Sequence, residues 1–237
     1  MERRQLAENY ISITDGELSL AAFERQVPVL KARFGKLLPT DRKASILDLG
    51  CGTGGVLHFL RCEGYTAAHG VDLSSKQIET ARRLGISNVS QGDAIDYLKQ
   101  SAGDLDCILA IDVVEHFKKS EVLGLLEAIF ARLRSGGTLI VQTVNAASPM
   151  FGSIRYADFT HELAFTQESL RQILEWVGFK DFEFYECTPF VHGLASTARW
   201  VLWKLARSLI NVYFAAEAGY LSNNILSRDL VAIARKS

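Results

Sequence analysis

The stretch Ile46-Leu47-Asp48-Leu49-Gly50-Cys51-Gly52-Thr53-Gly54-Gly55 decides how the rest of the chain is read. A short strand, apolar apart from Asp48, runs directly into a turn of glycines. Without a Cβ, glycine lets the backbone turn sharply and lets a ligand approach main-chain N–H groups. Gly50, Gly52 and Gly54 alternate, and Gly55 opens the next helix. A strand, a glycine turn and a helix in that order suit an adenine-containing cofactor.

Two cofactors fit such a loop. Gly50, Gly52 and Gly55 satisfy G-x-G-x-x-G, the dinucleotide fingerprint, and Asp72 lies 20 residues past Gly52, where a ribose-binding acid belongs. The longer phrase Asp48-x-Gly50-x-Gly52-x-Gly54 closely resembles the nucleotide loop of class I S-adenosylmethionine-dependent methyltransferases. That resemblance implies that Asp48 lies near the methionine end of the cofactor while the loop passes beneath it. A tight strand-to-helix turn with no ligand is the bland alternative.

The downstream segments fall where such an enzyme would put them. Residues 67–72 read as a second strand ending in Asp72, which the resemblance places on the ribose hydroxyls; a carboxylate accepting two hydroxyl donors holds a ribose well. Residues 88–94 read as a third strand and turn, with Asp93 implied at the adenine amino group and Ala94 supplying a backbone N–H. Asp93 is equally suited to cap a helix over 94–100, and the two roles are compatible. By the same resemblance, Cys51, Gly54, Leu73 and Asp112 complete the cofactor contacts.

Residues 105–111 form a fourth strand and 137–143 a fifth, reached through a turn at Arg134-Ser135-Gly136-Gly137. Between them, Val122, Leu125, Leu126, Ile129, Phe130 and Leu133 recur at helical spacing over 120–133. Near-continuous apolar strands alternating with helices indicate an α/β fold, a mostly parallel sheet covered on both faces. Phe182–Cys187 and Leu226–Ala234 supply an antiparallel C-terminal hairpin, the mark of the methyltransferase version of this seven-stranded, Rossmann-like sheet. Dinucleotide-binding domains normally lack it.

With 237 residues, 48% of them hydrophobic and only four proline, the chain makes one domain with a substantial core. A net charge of −1 supplies no basic field for a nucleic-acid backbone. Cys51, Cys62, Cys107 and Cys187 form no C-x-x-C pair and read as buried, reduced thiols of a cytoplasmic protein. The first residues contain no apolar core of a secretion signal.

Within residues 1–237, segment 1–40 is a helical cap, with Gly16 to Leu38 amphipathic. Residues 41–144 are the cofactor-binding half, and 145–237 the substrate side. In that second half, 145–166 is a long functional loop, and residues from Gln167 to Lys180 a helix. Segment 190–222 interrupts the final hairpin. Its helix, 196–214, sets Arg199, Lys204, Arg207 and Asn211 on one side and Val201, Leu202, Leu205, Leu209 and Val212 on another. The charges break it too often for a membrane span. Packing over the active site or on a second subunit, or peripheral contact with the inner membrane face, both remain open.

Ligands of open parallel sheets bind beyond the carboxyl ends of the strands, which puts Asp112, Glu115 and His116 beside the cofactor. Three readings compete. In the first the residues are purely structural; in the second His116 or His161 removes a proton from a hydroxyl, as a neutral imidazole can near pH 7; in the third a divalent metal such as Mg²⁺ sits among them. The metal reading rests on similarity to small-RNA 2′-O-methyltransferases and ubiquinone-biosynthesis O-methyltransferases. It names Asp112, Glu115, His116 and His161, with Asp112 a methylene shorter than the glutamate expected. Arg155 and Tyr156 are candidate substrate contacts in a loop whose Thr160-His161-Glu162…Phe165-Thr166 pattern resembles surface-polysaccharide methyltransferases.

The whole is identified as a class I methyltransferase over residues 44–187, implying an O-methyltransferase for a small or lipid-linked hydroxyl acceptor. A sugar of a surface-glycan precursor is the preferred acceptor and a quinone-type phenol the alternative. A nicotinamide oxidoreductase and a non-catalytic cofactor-binding domain are the rivals, and RNA is a weaker substrate.

Overall fold

The computed structural model describes residues 19–100, 105–219 and 224–237. Its seven strands are β1 (Ile46–Leu49), β2 (Ala68–Asp72), β3 (Val89–Gln91), β4 (Leu105–Ile111), β5 (Leu133–Val144), β6 (Lys180–Glu186) and β7 (Asp229–Arg235). They lie in the order β3-β2-β1-β4-β5-β7-β6. Strands β1 to β5 are mutually parallel, and β7 runs antiparallel between β5 and β6.

Alternation along each central strand divides the core in two. Leu47, Leu49, Ile108, Ala110, Leu139 and Val141 face one side, where α4 (Ala94–Gln100), α5 (Lys119–Arg132) and α7 (Gln167–Val177) pack. Ile46, Cys107, Leu109 and Ile140 face the other, under α1 (Leu20–Phe34), α2 (Gly55–Cys62) and α3 (Ser75–Arg83). Each fully buried leucine or isoleucine here contributes roughly 1.5–3 kcal/mol of apolar transfer free energy.

Several boundaries differ from the sequence reading. Helix α7 ends at Val177, because Gly178 caps it and Lys180 already opens β6, and β7 begins at Asp229 rather than Leu226. The turn at 134–137 is absorbed into β5 as a bulge: pairing jumps from Leu105↔Leu133 to Cys107↔Thr138. Gly136, at φ 75°, donates to the Lys236 carbonyl at 2.7 Å, so the C-terminal tail keeps the excursion in the sheet. The leading helix is shorter than expected. Ser19 caps it, accepting from Ala22 N–H at 3.2 Å, and the expected stretch 16–18 lies outside the described residues. The 145–166 loop contains a short helix, α6 (Phe151–Arg155), and its ends meet, Asn145 bridging to Phe165. Thr166 caps α7 with Ser169 completing a capping box. Of the four cysteines, all free, only Cys51 and Cys107 are buried as expected; Cys62 is exposed because it closes α2 on its solvent side, and Cys187, just past β6, is half-buried.

Between β6 and β7 the chain forms α8 (Leu194–Ala218). Among the described residues no helix is long and apolar enough to cross a membrane.

Candidate active site

Gly50, Gly52 and Gly54 all have positive φ (66°, 52° and 89°), which forces glycine at the turn. At Gly50 a Cβ would also meet Val113 Cγ2 at 2.6 Å, so the β1 turn and the β4 turn touch only because the side chain is absent. The first three N–H groups of this loop already have acceptors. Gly50 and Cys51 donate to the Val71 carbonyl at 2.8 and 3.1 Å, and Gly52 donates to Asp72 Oδ2 at 2.9 Å. Asp72 Oδ1 accepts from Ser74 N–H at 2.8 Å. A dinucleotide needs such N–H groups for its pyrophosphate. The glycines therefore serve curvature and close approach here, which favours a cofactor without phosphate at this point.

Beyond the loop opens a cavity of about 310 Å³, lined by Gly50, Gly52, Asp72, Leu73, Gly92, Asp93 and Ala94 on one wall. Ile111, Asp112, Val113, His116, Phe117, Thr160 and Glu162 line the other. Asp93 also caps α4, Oδ1 accepting from Ile95 N–H at 2.9 Å. Gln77, Lys118 and Glu121, absent from the sequence reading, complete the rim. Cys51 and Gly54 stay behind the loop, shaping it rather than lining the space. Arg155 and Tyr156 do not line it either: Arg155 donates to the Glu162 carbonyl at 3.0 Å and stacks over Tyr156, which is 76% exposed.

Asp48 lies under the loop, wholly buried, and its Oδ2 has no hydrogen-bond partner among the described residues. Burial first, then the Asp72 charge, lift its carboxyl from the usual 3.8 to about 8. An unpartnered buried acid beneath an open cavity suits a ligand that brings a donor or a positive charge. S-adenosylmethionine carries an ammonium and a sulfonium, and with Asp72 ready for ribose hydroxyls the residues fit it.

The second wall is built from the turn after β4. Asp112 has a positive φ of 55°, a conformation Asp tolerates better than most residues. Both its carboxylate oxygens accept from Gln142 Nε2 at 2.9 and 3.0 Å, while Gln142 Oε1 accepts from Arg33 Nη1 at 2.6 Å. Burial pushes Asp112 from 3.8 to about 6, with the Gln142 bond opposing. Glu115 is buried, and Thr143 Oγ1 donates to its Oε2 at 3.0 Å; burial and then the Asp112 charge hold it well above the usual carboxylate range.

The backbone of the 158–163 segment docks on this turn. Glu162 and Leu163 N–H both donate to the Glu115 carbonyl, at 2.7 and 2.9 Å. The docking sets His161 beside His116, ring centroids 4.9 Å apart. It also sets Thr160 Oγ1 2.9 Å from His116 Nδ1 and 2.7 Å from Asp158 Oδ1. Despite burial, the Thr160 hydroxyl and N–H hold Asp158 below the usual carboxylate range, so it accepts only. With the hydroxyl proton directed to Asp158, Thr160 Oγ1 accepts from Nδ1–H of His116, and the Asp112 backbone is a further partner of the ring. Burial and the neighbouring His161 keep His116 neutral by lowering its pKa.

Glu115, His116 and His161 each offer an atom within 4.8 Å of the others, a spacing that could hold a cation. Asp112, the fourth ligand expected from sequence, is not in that group; its carboxylate is turned to Gln142. Asp158, Thr160, Gln142 and Thr143 had no assigned role in the sequence. The polar pair Gln142-Thr143 at the end of an apolar strand was the available signal for two of them.

A family model described as a methyltransferase domain matches residues 23–183. The chain belongs to that family. Its sheet order, antiparallel final strands and donor loop are those of the class I, S-adenosylmethionine-dependent members. A SAM-dependent methyltransferase from Archaeoglobus fulgidus superposes with a TM-score of 0.66 at 26% identity, over 91% of this chain and 96% of that one. Two curated relatives are ubiquinone biosynthesis O-methyltransferases. The one from Methylocella silvestris is 32% identical over 48% of this chain and 48% of its own length. The one from Rickettsia conorii is 29% identical over 49% of this chain and 40% of its own length. The chain thus spans less than half the length of these relatives.

Proposed function

We propose that this methyltransferase methylates a hydroxyl oxygen, with a phenol of the quinone-precursor type as the acceptor class. The observation that carries the reading is His116: a neutral imidazole, held at Nδ1 by Thr160, on the wall of the donor cavity. When bound, S-adenosylmethionine supplies an electrophilic methyl group on sulfur. Asp48, Asp72 and Asp93 would hold that donor. His116 takes the hydroxyl proton at Nε2 as the oxygen becomes nucleophilic, and Asp158, through Thr160, keeps the ring in that tautomer. Phe117, Ile111 and Val113 exclude water and offer an apolar wall to a ring.

The phenol is preferred to the glycan sugar because the curated relatives named above are ubiquinone biosynthesis enzymes. A divalent cation among Glu115, His116 and His161 is a second reading, favoured by their mutual 4.8 Å spacing. Such an ion would lower the hydroxyl's pKa and orient two adjacent oxygens.

The test is transfer of labelled methyl from S-adenosylmethionine to a simple catechol and, separately, to bacterial extract split into organic and aqueous fractions. Label in the catechol and the neutral lipids supports the phenol. Label confined to water-soluble glycan overturns it. Turnover unchanged by chelator, together with no heat of Mg²⁺ binding by calorimetry, overturns the cation.

A further inference from the structure

Helix α8 is oriented against the usual rule for an amphipathic helix. At about 100° per residue, Leu194, Val201, Leu202, Leu205, Leu209, Val212 and Tyr213 fall within an arc of about 120°. That arc faces solvent: Leu202 is 66%, Leu205 59% and Leu209 72% exposed. The half-buried opposite side meets the body, where Arg207 Nε donates to Glu186 Oε1 at 2.9 Å and Arg207 Nη2 to the Asn224 carbonyl at 3.2 Å. The outward stripe is about 28 Å long, from the rise of about 1.5 Å per residue between Leu194 and Tyr213. Singly exposed leucines are ordinary, whereas a continuous apolar stripe marks a contact surface.

We propose that this stripe docks on an anionic lipid surface. The cations decide between lipid and a second copy of the chain. Arg199 and Lys204 stand on opposite borders of the stripe, both exposed, with Lys204 Nζ 5.3 Å from the Trp200 ring and 5.7 Å from the Trp203 ring. The helix has no acidic residue before Glu217. Pairing stripe to stripe would leave both cations without an acid, while lipid phosphates along both borders satisfy them. Leucines below and basic groups at the flanks make an interfacial helix.

The topology gives the contact a purpose. β7 is antiparallel to both β5 and β6, so β6 ends and β7 begins at the same sheet edge as the carboxyl ends of the parallel strands. α8 is inserted at that edge, the one where the donor cavity opens. A chain seated on the bilayer through α8 presents its active-site edge toward the membrane, where a lipid-linked acceptor would be.

The test is sedimentation of the full chain with phosphatidylcholine vesicles, with and without phosphatidylglycerol, in the absence of any acceptor, so the result is independent of methyl transfer. The wild type should pellet with the anionic vesicles. Arg199→Glu with Lys204→Glu should weaken that partitioning at least about tenfold, since each cation near an anionic surface is worth about fivefold. Leu202→Asp with Leu205→Asp and Leu209→Asp should abolish it. Circular dichroism and thermal protection by S-adenosylhomocysteine confirm that both variants fold. A wild type that stays in solution with anionic vesicles, or a leucine variant that still pellets, overturns the proposal. So does a wild-type dimer that the leucine variant converts to monomer by light scattering, which would make the stripe an interface between copies.

Discussion

The two walls of the donor cavity are held by different kinds of contact. On the glycine-loop wall, the strand end and its turn are tied to the next strand over a span of 20 residues, as in the Gly52–Asp72 bond. The loop hydrogen bonds to Val71 and Asp72 follow from β1 lying beside β2. On the facing wall, Thr160 reaches His116 across 44 residues and Thr143 reaches Glu115 across 28. The first wall is a local consequence of a strand–turn–helix unit. The second exists only because the 145–166 loop closes on itself at Asn145 and Phe165 and lays its later half over the β4 turn. Donor binding should therefore tolerate changes in the second wall, and chemistry should not.

The sharpest break of this comparison is His116→Ala. Turnover in the labelled-methyl assay should fall by ~10²–10⁴-fold, the usual worth of a general base, while S-adenosylhomocysteine binds as before in calorimetry. If binding collapses together with turnover, the walls are not separable. Asp72→Ala probes the other wall and should do the reverse, weakening S-adenosylhomocysteine by roughly 100-fold, because two backbone donors and the ribose lose a charged acceptor.

Thr160→Val sharpens the picture of the second wall. It should lower kcat by roughly 10-fold with the donor's Kd unchanged, and Thr160→Ser should restore it. Nitrogen NMR of the His116 ring would show the loss of the Nδ1–H tautomer in the valine variant; an unaltered ring overturns the Asp158–Thr160–His116 assignment.

A smaller effect comes from Asp48. Its folded carboxyl titrates at about 8 against the usual 3.8, so the folded state favours the protonated form. That contribution is fully present below the usual value and is lost as pH rises through about 8. The ligand-free wild type should then lose a few degrees more in Tm than Asp48→Asn between about pH 6 and about pH 9, measured by calorimetry. Equal slopes would mean that Asp48 is already ionised in the folded chain. Tyr156→Ala, on an exposed ring outside the cavity, should change turnover less than about twofold.

The sequence by itself determined the strand alternation, the positions of six of the seven strands to within a few residues, and the glycine loop with Asp48, Asp72 and Asp93 around it. These signals are periodic or adjacent, so a pattern of 2 or 3.6 residues carries them without knowledge of the rest of the fold. β5 escaped by its N-terminal end, because Arg134-Ser135-Gly136-Gly137 has turn chemistry and becomes strand only through the Lys236 carbonyl, far away in the chain. Only the tertiary structure decided that Asp112 turns to Gln142 rather than joining Glu115, His116 and His161, and that Arg155 and Tyr156 do not line the cavity. It also decided which side of α8 meets water. A helical wheel gives two faces and no direction; the Arg207–Glu186 pair turns the Arg207 side inward and leaves the leucines outside. Partner choice across tens of residues depends on which loop ends the sheet brings together, and no local pattern in the chain encodes that.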